Sequence, residues 1–147
     1  MKQTVARIYV VGSLRHLDSL AAGSRSWWCV EHKAEKGELG VIYIKGKGLV
    51  LLFRYLELAE KQEFLCKDHG LATGNIEILA RIDHPIHAKV MREHPVLSKL
   101  PALARSFQRK SFHLDEPFLS LITGMLGWVP SPPARPARAT KAKVARE

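Results

Sequence analysis

The chain has 147 residues, 46% of them hydrophobic, which suits one domain with a single core and a short extension. Its formal net charge of +9 turns it toward polyanions, nucleic acid before an anionic membrane surface. No run approaches the roughly 18–20 apolar residues of a membrane span, and Lys2 and Arg7 are followed by no apolar signal core. The expected setting is therefore the cytoplasm, with no membrane partner.

In chain order, Val5–Val11 reads as a first strand, with Ile8, Val10 and Val11 suited to a buried sheet. Gly12-Ser13 ends it. Leu14, Leu17, Leu20 and Ala21 recur at helical spacing, which predicts a helix over Leu14–Ala22 stopped by Gly23. Trp27–Val30 is a second strand after a loop at Ser24–Ser26. A charged stretch, Glu31–Glu38, ends in the turn signal Lys36-Gly37-Glu38. Val41–Ile44 and Leu49–Leu58 form a hairpin across Lys45-Gly46-Lys47-Gly48, with Leu51, Phe53 and Tyr55 on one face. Ala59–Leu71 is open between a short helix and irregular chain. Asn75–Ile82 alternates as a strand, Ile76, Ile78 and Ala80 against Glu77, Leu79 and Arg81.

From His84 the period changes. Pro85-Ile86 opens a helix over His87–His94, Pro95 interrupts it, and Val96–Leu100 makes a further turn. Leu103–Lys110 is a basic loop or short helix, and Ser111–Leu114 is strand-like. Asp115 is placed to cap a last helix whose face carries Phe118, Leu121, Ile122 and Met125, ended by Gly127. From Val129 the chain is Pro, Ala, Arg and Lys without periodicity. Such a composition does not bury enough surface to order itself. The expected division is a domain at 1–128 and a disordered basic tail at 129–147 that carries +4 of the net charge. The fold class is α+β, a small mixed barrel of five or six strands with flanking helices.

The chemistry-bearing patterns are few. There is no nucleophile elbow and no phosphate-binding loop: Lys45-Gly46-Lys47-Gly48 lacks the spacing and the helix start of a P-loop, so a hairpin turn is the better reading. His87 and His94 fall on a helix and read as solvated. Cys29-x-x-His32 and Cys66-x-x-His69 have the donors of a Cys2His2 zinc site. Against that stand two unrelated pairs; one disulfide is the alternative for the two cysteines, although a cytoplasmic protein would keep both reduced. Apart from that set no metal or cofactor is expected. Trp27-Trp28 in a strand must send one ring to each side. One indole enters the core, and the other needs either a cover or a ligand such as a stacked base.

Strand–Gly12-Ser13–helix, then Trp27-Trp28-Cys29, then Lys36-Gly37-Glu38-Leu39-Gly40-Val41-Ile42-Tyr43-Ile44 resembles the opening of EVE domains of the PUA-like superfamily. His84-Pro85-Ile86, Leu97, Leu100-Pro101 and Ser106-Phe107-Gln108 resemble the later segment and closing loop of the same domains. Glu38 stands where that family usually has Asp, and the first strand lacks a Trp common there. The resemblance spans residues 5–126 and implies a PUA-like pseudobarrel. Relatives of that kind, YTH domains among them, hold a modified or flipped base in a Trp-lined pocket. It implies that Ser13 bonds a base edge, that Trp27 or Trp28 stacks on it, and that Ser106, Phe107 and Gln108 close the pocket. Arg105, Arg109 and Lys110 would meet phosphates of DNA or RNA. The expected function is thus non-enzymatic nucleic-acid binding. The alternatives are an ASCH-type processing enzyme using Lys33, Lys36, Glu38 or His84, and a zinc-stabilised adaptor.

Overall fold

The computed structural model describes residues 6–104 and 109–128. The expected basic tail at 129–147 and the closing-loop residues Arg105, Ser106, Phe107 and Gln108 lie outside the described residues.

The chain opens on β1 (Ala6–Val11), makes a 3-10 turn over Arg15–Ser19, and continues into β2 (Arg25–Val30), β3 (Leu39–Ile44) and β4 (Gly48–Leu58). Helix α1 (Phe64–Asp68) leads into the long strand β5 (Ala72–Ile86). Three further helices follow, α2 (Ala88–Glu93), α3 (Pro101–Ala104) and α4 (Phe118–Met125), with the short strand β6 (Ser111–His113) before the last. The protein is α+β, with six strands in one mixed sheet of order β2-β5-β4-β3-β1-β6. Strands β1 and β3 run parallel, and the other pairings are antiparallel. Lys45-Gly46-Lys47-Gly48 is the turn between β3 and β4, closed by Lys47 N–H on the Ile44 carbonyl at 2.9 Å with Gly46 at φ 78°.

Hydrophobic alternation gives the sheet two apolar faces. Ile8, Val41 and Leu52 face the side covered by Met91, Leu97, Leu103 and Ile122 from the helical segments. Tyr9, Ile42, Leu51, Phe53, Ile76 and Ile78 face the other side, together with Trp28, Leu14 and Leu17. In that second layer the Phe53 ring lies against Gly40, where an added Cβ would meet the ring at 2.2 Å, so the strand there tolerates only glycine.

The sheet curls on itself. Three strands separate β2 from β1 in the order, a separation of roughly 19 Å in a flat sheet. Yet the Tyr9 hydroxyl on β1 accepts the Glu31 N–H just beyond β2 at 3.1 Å. Ser111 on β6 donates to the Glu31 carboxylate across the same seam.

Several local expectations are corrected. The helix expected over Leu14–Ala22 is only the 3-10 turn, because Leu14 and Leu17 pack at i, i+3 and Leu20 is already extended. The Arg81 guanidinium takes the Leu17 and Leu20 carbonyls that a longer helix would have used. Strand β5 runs well past Ile82, and His84 lies within it. Leu52 pairs with Ala80 and Phe53 with Ile78, so a bulge at Leu79 turns Ala80 away from Ile76 and Ile78 to the helix-covered face. Asp115 does not cap α4. Glu116 accepts the Ser120 N–H at 3.0 Å and the Ser120 hydroxyl at 2.7 Å instead. Met125 is exposed, and Ile122 and Leu126 hold the buried face.

Candidate functional site

The curl leaves a cavity of about 270 Å³ where the end of β1 meets β2 and α1. Each wall has a local cause. β1 ends at Gly12-Ser13, whose chain turns away and exposes the strand end. Arg15, at the rim, holds φ +50°, a left-handed conformation unusual for a residue with a side chain. Lys45 enters from the β3–β4 turn, its N–H bonded to the Val11 carbonyl at 2.9 Å. Trp28 forms part of the wall while being only 4% exposed.

The far wall is α1 with its exit, Leu65, His69 and Leu71. Cys66 is the one buried residue of α1, and it is bonded to Cys29 of β2. The other end of the helix is held by Gln62, whose side chain accepts the Thr73 N–H at 2.7 Å and donates to the Ala59 carbonyl at 2.8 Å. This disulfide corrects two expectations. The cysteines are not free thiols, and Cys29, His32, Cys66 and His69 do not make a zinc site, because bonded sulfurs have no thiolate to offer a metal. Among the described residues no group of three or more His, Cys, Asp or Glu is placed to hold an ion.

Arg109 and Lys110 complete the rim. Lys110 donates its ammonium to the His69 carbonyl, and its own carbonyl accepts the Val10 N–H at 2.8 Å. The structure thus brings together Ser13, Trp28, Arg109 and Lys110 of the residues expected at a binding site. Trp27, on the opposite side of β2, is half-buried and lies outside this cavity: the His16 ring stacks on it at 4.1 Å and meets its carbonyl at 2.8 Å, partly covering it. The cover is the segment after β1, one of the two possibilities for an outward indole.

The acid–base candidates lie elsewhere. Glu38, 4% exposed, is paired to Arg7 at 2.7 Å and accepts the Glu35 N–H at 3.2 Å, an anchor for the chain entering β3. Lys33, Lys36 and His84 are exposed and border no part of the cavity. His87 and His94 accept backbone N–H bonds from Lys89 and from Val96 and Leu97 as caps of their turns.

Sequence reasoning missed Tyr9, Arg15, Lys45 and the α1 wall. Tyr9 carried a signal, a polar-tipped ring inside an otherwise aliphatic strand. Lys45 was absorbed by its turn, and nothing local marks Arg15. Burial pushes the Tyr9 hydroxyl pKa far up, against a lowering by its bond from the Glu31 backbone, so the group keeps its proton.

No protein-family model and no curated protein matches the chain. Solved structures do. Protein Atu2648 from Agrobacterium tumefaciens is 14% identical with a TM-score of 0.57, over 84% of this chain and 93% of that one. A hypothetical protein from Leishmania major is 13% identical with a TM-score of 0.58, over 85% and 96%. Rpa0253 from Rhodopseudomonas palustris is 11% identical with a TM-score of 0.58, over 84% and 93%. At such identities the likeness is one of fold, and it extends over nearly the whole of each neighbour.

Proposed function

We propose that this chain is a non-enzymatic nucleic-acid-binding module of the PUA-like, EVE type that receives a modified or flipped base in the cavity at the end of β1. The observation that carries this reading is the composition of that one cavity. Trp28, buried at its wall, and Ser13 share it with Arg15, Lys45, Arg109 and Lys110, all of the charge that meets phosphate. A volume near 270 Å³ falls just below the range of drug-sized pockets, which suits a single heterocycle. Extruding a base costs a few kcal/mol, and stacking plus edge hydrogen bonds offset a term of that size. The module works in this reading in the cytoplasm, on DNA or RNA, where the reducing poise bears directly on the Cys29–Cys66 bond.

The test is a blocked pocket. A Cβ at Gly12 would meet nothing within 4 Å, so Gly12→Leu puts a side chain into open space beside the cavity without disturbing the core. Affinity for a single-stranded oligonucleotide, followed by tryptophan quenching, should fall roughly tenfold or more, the worth of one stacked base. The thermal midpoint should stay near that of the parent. Equal binding by both proteins would remove the pocket from the interface.

A further inference from the structure

Tyr9 is 2% exposed and borders the cavity. Its hydroxyl accepts the Glu31 N–H at 3.1 Å. Among the described residues its own proton reaches no protein acceptor. A buried donor without a partner is uncommon, and each such group calls for an explanation. Tyr9 is part of the wall of a ligand-sized hollow, so a ligand atom is a candidate partner for that proton.

The rest of the lining has the same bias. The other polar side chains are Ser13, Arg15, Lys45, His69, Arg109 and Lys110, with no carboxylate and no carboxamide among the described residues. Two backbone carbonyls that border the hollow are already engaged, that of Val11 by Lys45 N–H and that of His69 by the Lys110 ammonium. Among the described residues the charged side chains of the lining, Arg15, Lys45, Arg109 and Lys110, are all donors, and the side-chain acceptors are the Ser13 hydroxyl and the His69 ring. An amino group placed against the Tyr9 hydroxyl would meet an oxygen that already accepts the Glu31 N–H, donor facing donor, whereas a keto oxygen would take the free proton.

We propose that Tyr9 donates its hydroxyl proton to the ligand, and that the pocket thereby selects a base presenting a keto oxygen at the edge facing Tyr9, the 4-position of a pyrimidine, over one presenting an amino group there. This deepens the reading of the cavity as a base site and rests on it.

The experiment uses the full chain and three single strands of abasic spacers, carrying at the centre dU, dC or one more abasic unit. Only one base is then available, and dU and dC differ at the 4-position and N3. The wild-type protein should bind the dU strand about tenfold more tightly than the dC strand, the effect of one buried donor satisfied rather than opposed. Tyr9→Phe keeps the ring that stacks on Phe53 at 5.8 Å and removes only the hydroxyl. It should shrink the preference to within about twofold, through weaker dU binding. A strand with central pyrimidin-2-one, which lacks the 4-substituent, applies the same test to the unmodified protein and should bind more weakly than dU and at least as tightly as dC; binding equal to dU would count against the role of Tyr9. Equal binding of dU and dC, a preference for dC, or a preference that survives Tyr9→Phe would overturn the role of Tyr9 while leaving the cavity a base site. If neither base binds better than the fully abasic strand, the base-site reading itself fails.

Discussion

Tyr9 does two things at once: its ring stacks on Phe53 inside the curl, and its hydroxyl ends at the seam between β1 and Glu31. Burial raises its pKa, and burial raises those of Tyr43 and Tyr55 as well. The sign of the pH effect follows. An unfolded tyrosine releases its proton near pH 10, whereas these keep theirs to higher pH, so the folded state binds more protons in the alkaline range. Below about pH 10 they leave stability independent of pH, and above it stability falls as pH rises, by up to roughly 1.4 kcal/mol per pH unit for the deeply buried Tyr9. Urea unfolding at pH 9 and at pH 11 should show this loss, and Tyr9→Phe should lessen it. An identical slope in the two proteins would mean that Tyr9 titrates normally. Arg7 and Glu38 make the complementary point. Arg7 lies opposite Gly40 in the parallel β1–β3 pairing and Glu38 stands just before β3, so the ion pair ties β1 to the chain entering β3.

At the scale of elements, α1 is the weak wall of the cavity. It has five residues, one buried side chain, and Phe64 exposed to 77%. So short a helix has little stability of its own, and the bridge from Cys66 to Cys29, 37 positions apart, supplies what packing does not. Replacing both cysteines by alanine, or reducing the bond with a dithiol, should lower stability by about 2–4 kcal/mol in urea unfolding. Amide exchange over residues 64–71 should accelerate more than that of β3 and β4. Exchange that rises evenly through the molecule would show that α1 is held by other contacts. The 3-10 turn over Arg15–Ser19 shows why element lengths escape local reading. The Leu14, Leu17 and Leu20 spacing fits a helix, but the distant Arg81 side chain takes the carbonyls at its end.

For the molecule as a whole, the net charge of +9 is less informative than its placement. Arg15, Lys45, Arg109 and Lys110 come from three separate stretches of chain and meet at one cavity. If they carry phosphate contacts, affinity falls with salt in proportion to their number. Lys45→Gln and Arg109→Gln should each reduce the slope of log affinity against log salt by about 0.7 on a single strand. Neither should change which base is preferred, since phosphate contacts position the strand and the pocket reads it. A changed base preference with an unchanged slope would reverse those roles. Among the described residues no helix is long and apolar enough to cross a membrane.

The sequence by itself determined the parts that depend on near neighbours. Strand β1, the β3–β4 hairpin with its glycine turn, one indole of Trp27-Trp28 directed inward, and the helical segments after β5 all follow from alternation, turn chemistry and side-chain period. Such signals act over a few residues, and the chain obeys them wherever nothing distant competes. The tertiary structure alone decided which of those parts meet. The curl that sets Tyr9 beside Glu31, the bond between Cys29 and Cys66, and the bulge that turns Ala80 over each join residues far apart in the chain. No local pattern encodes them, because they come from accumulated twist and packing across six strands. The cavity that joins Ser13, Trp28 and Lys110 is a product of that closure.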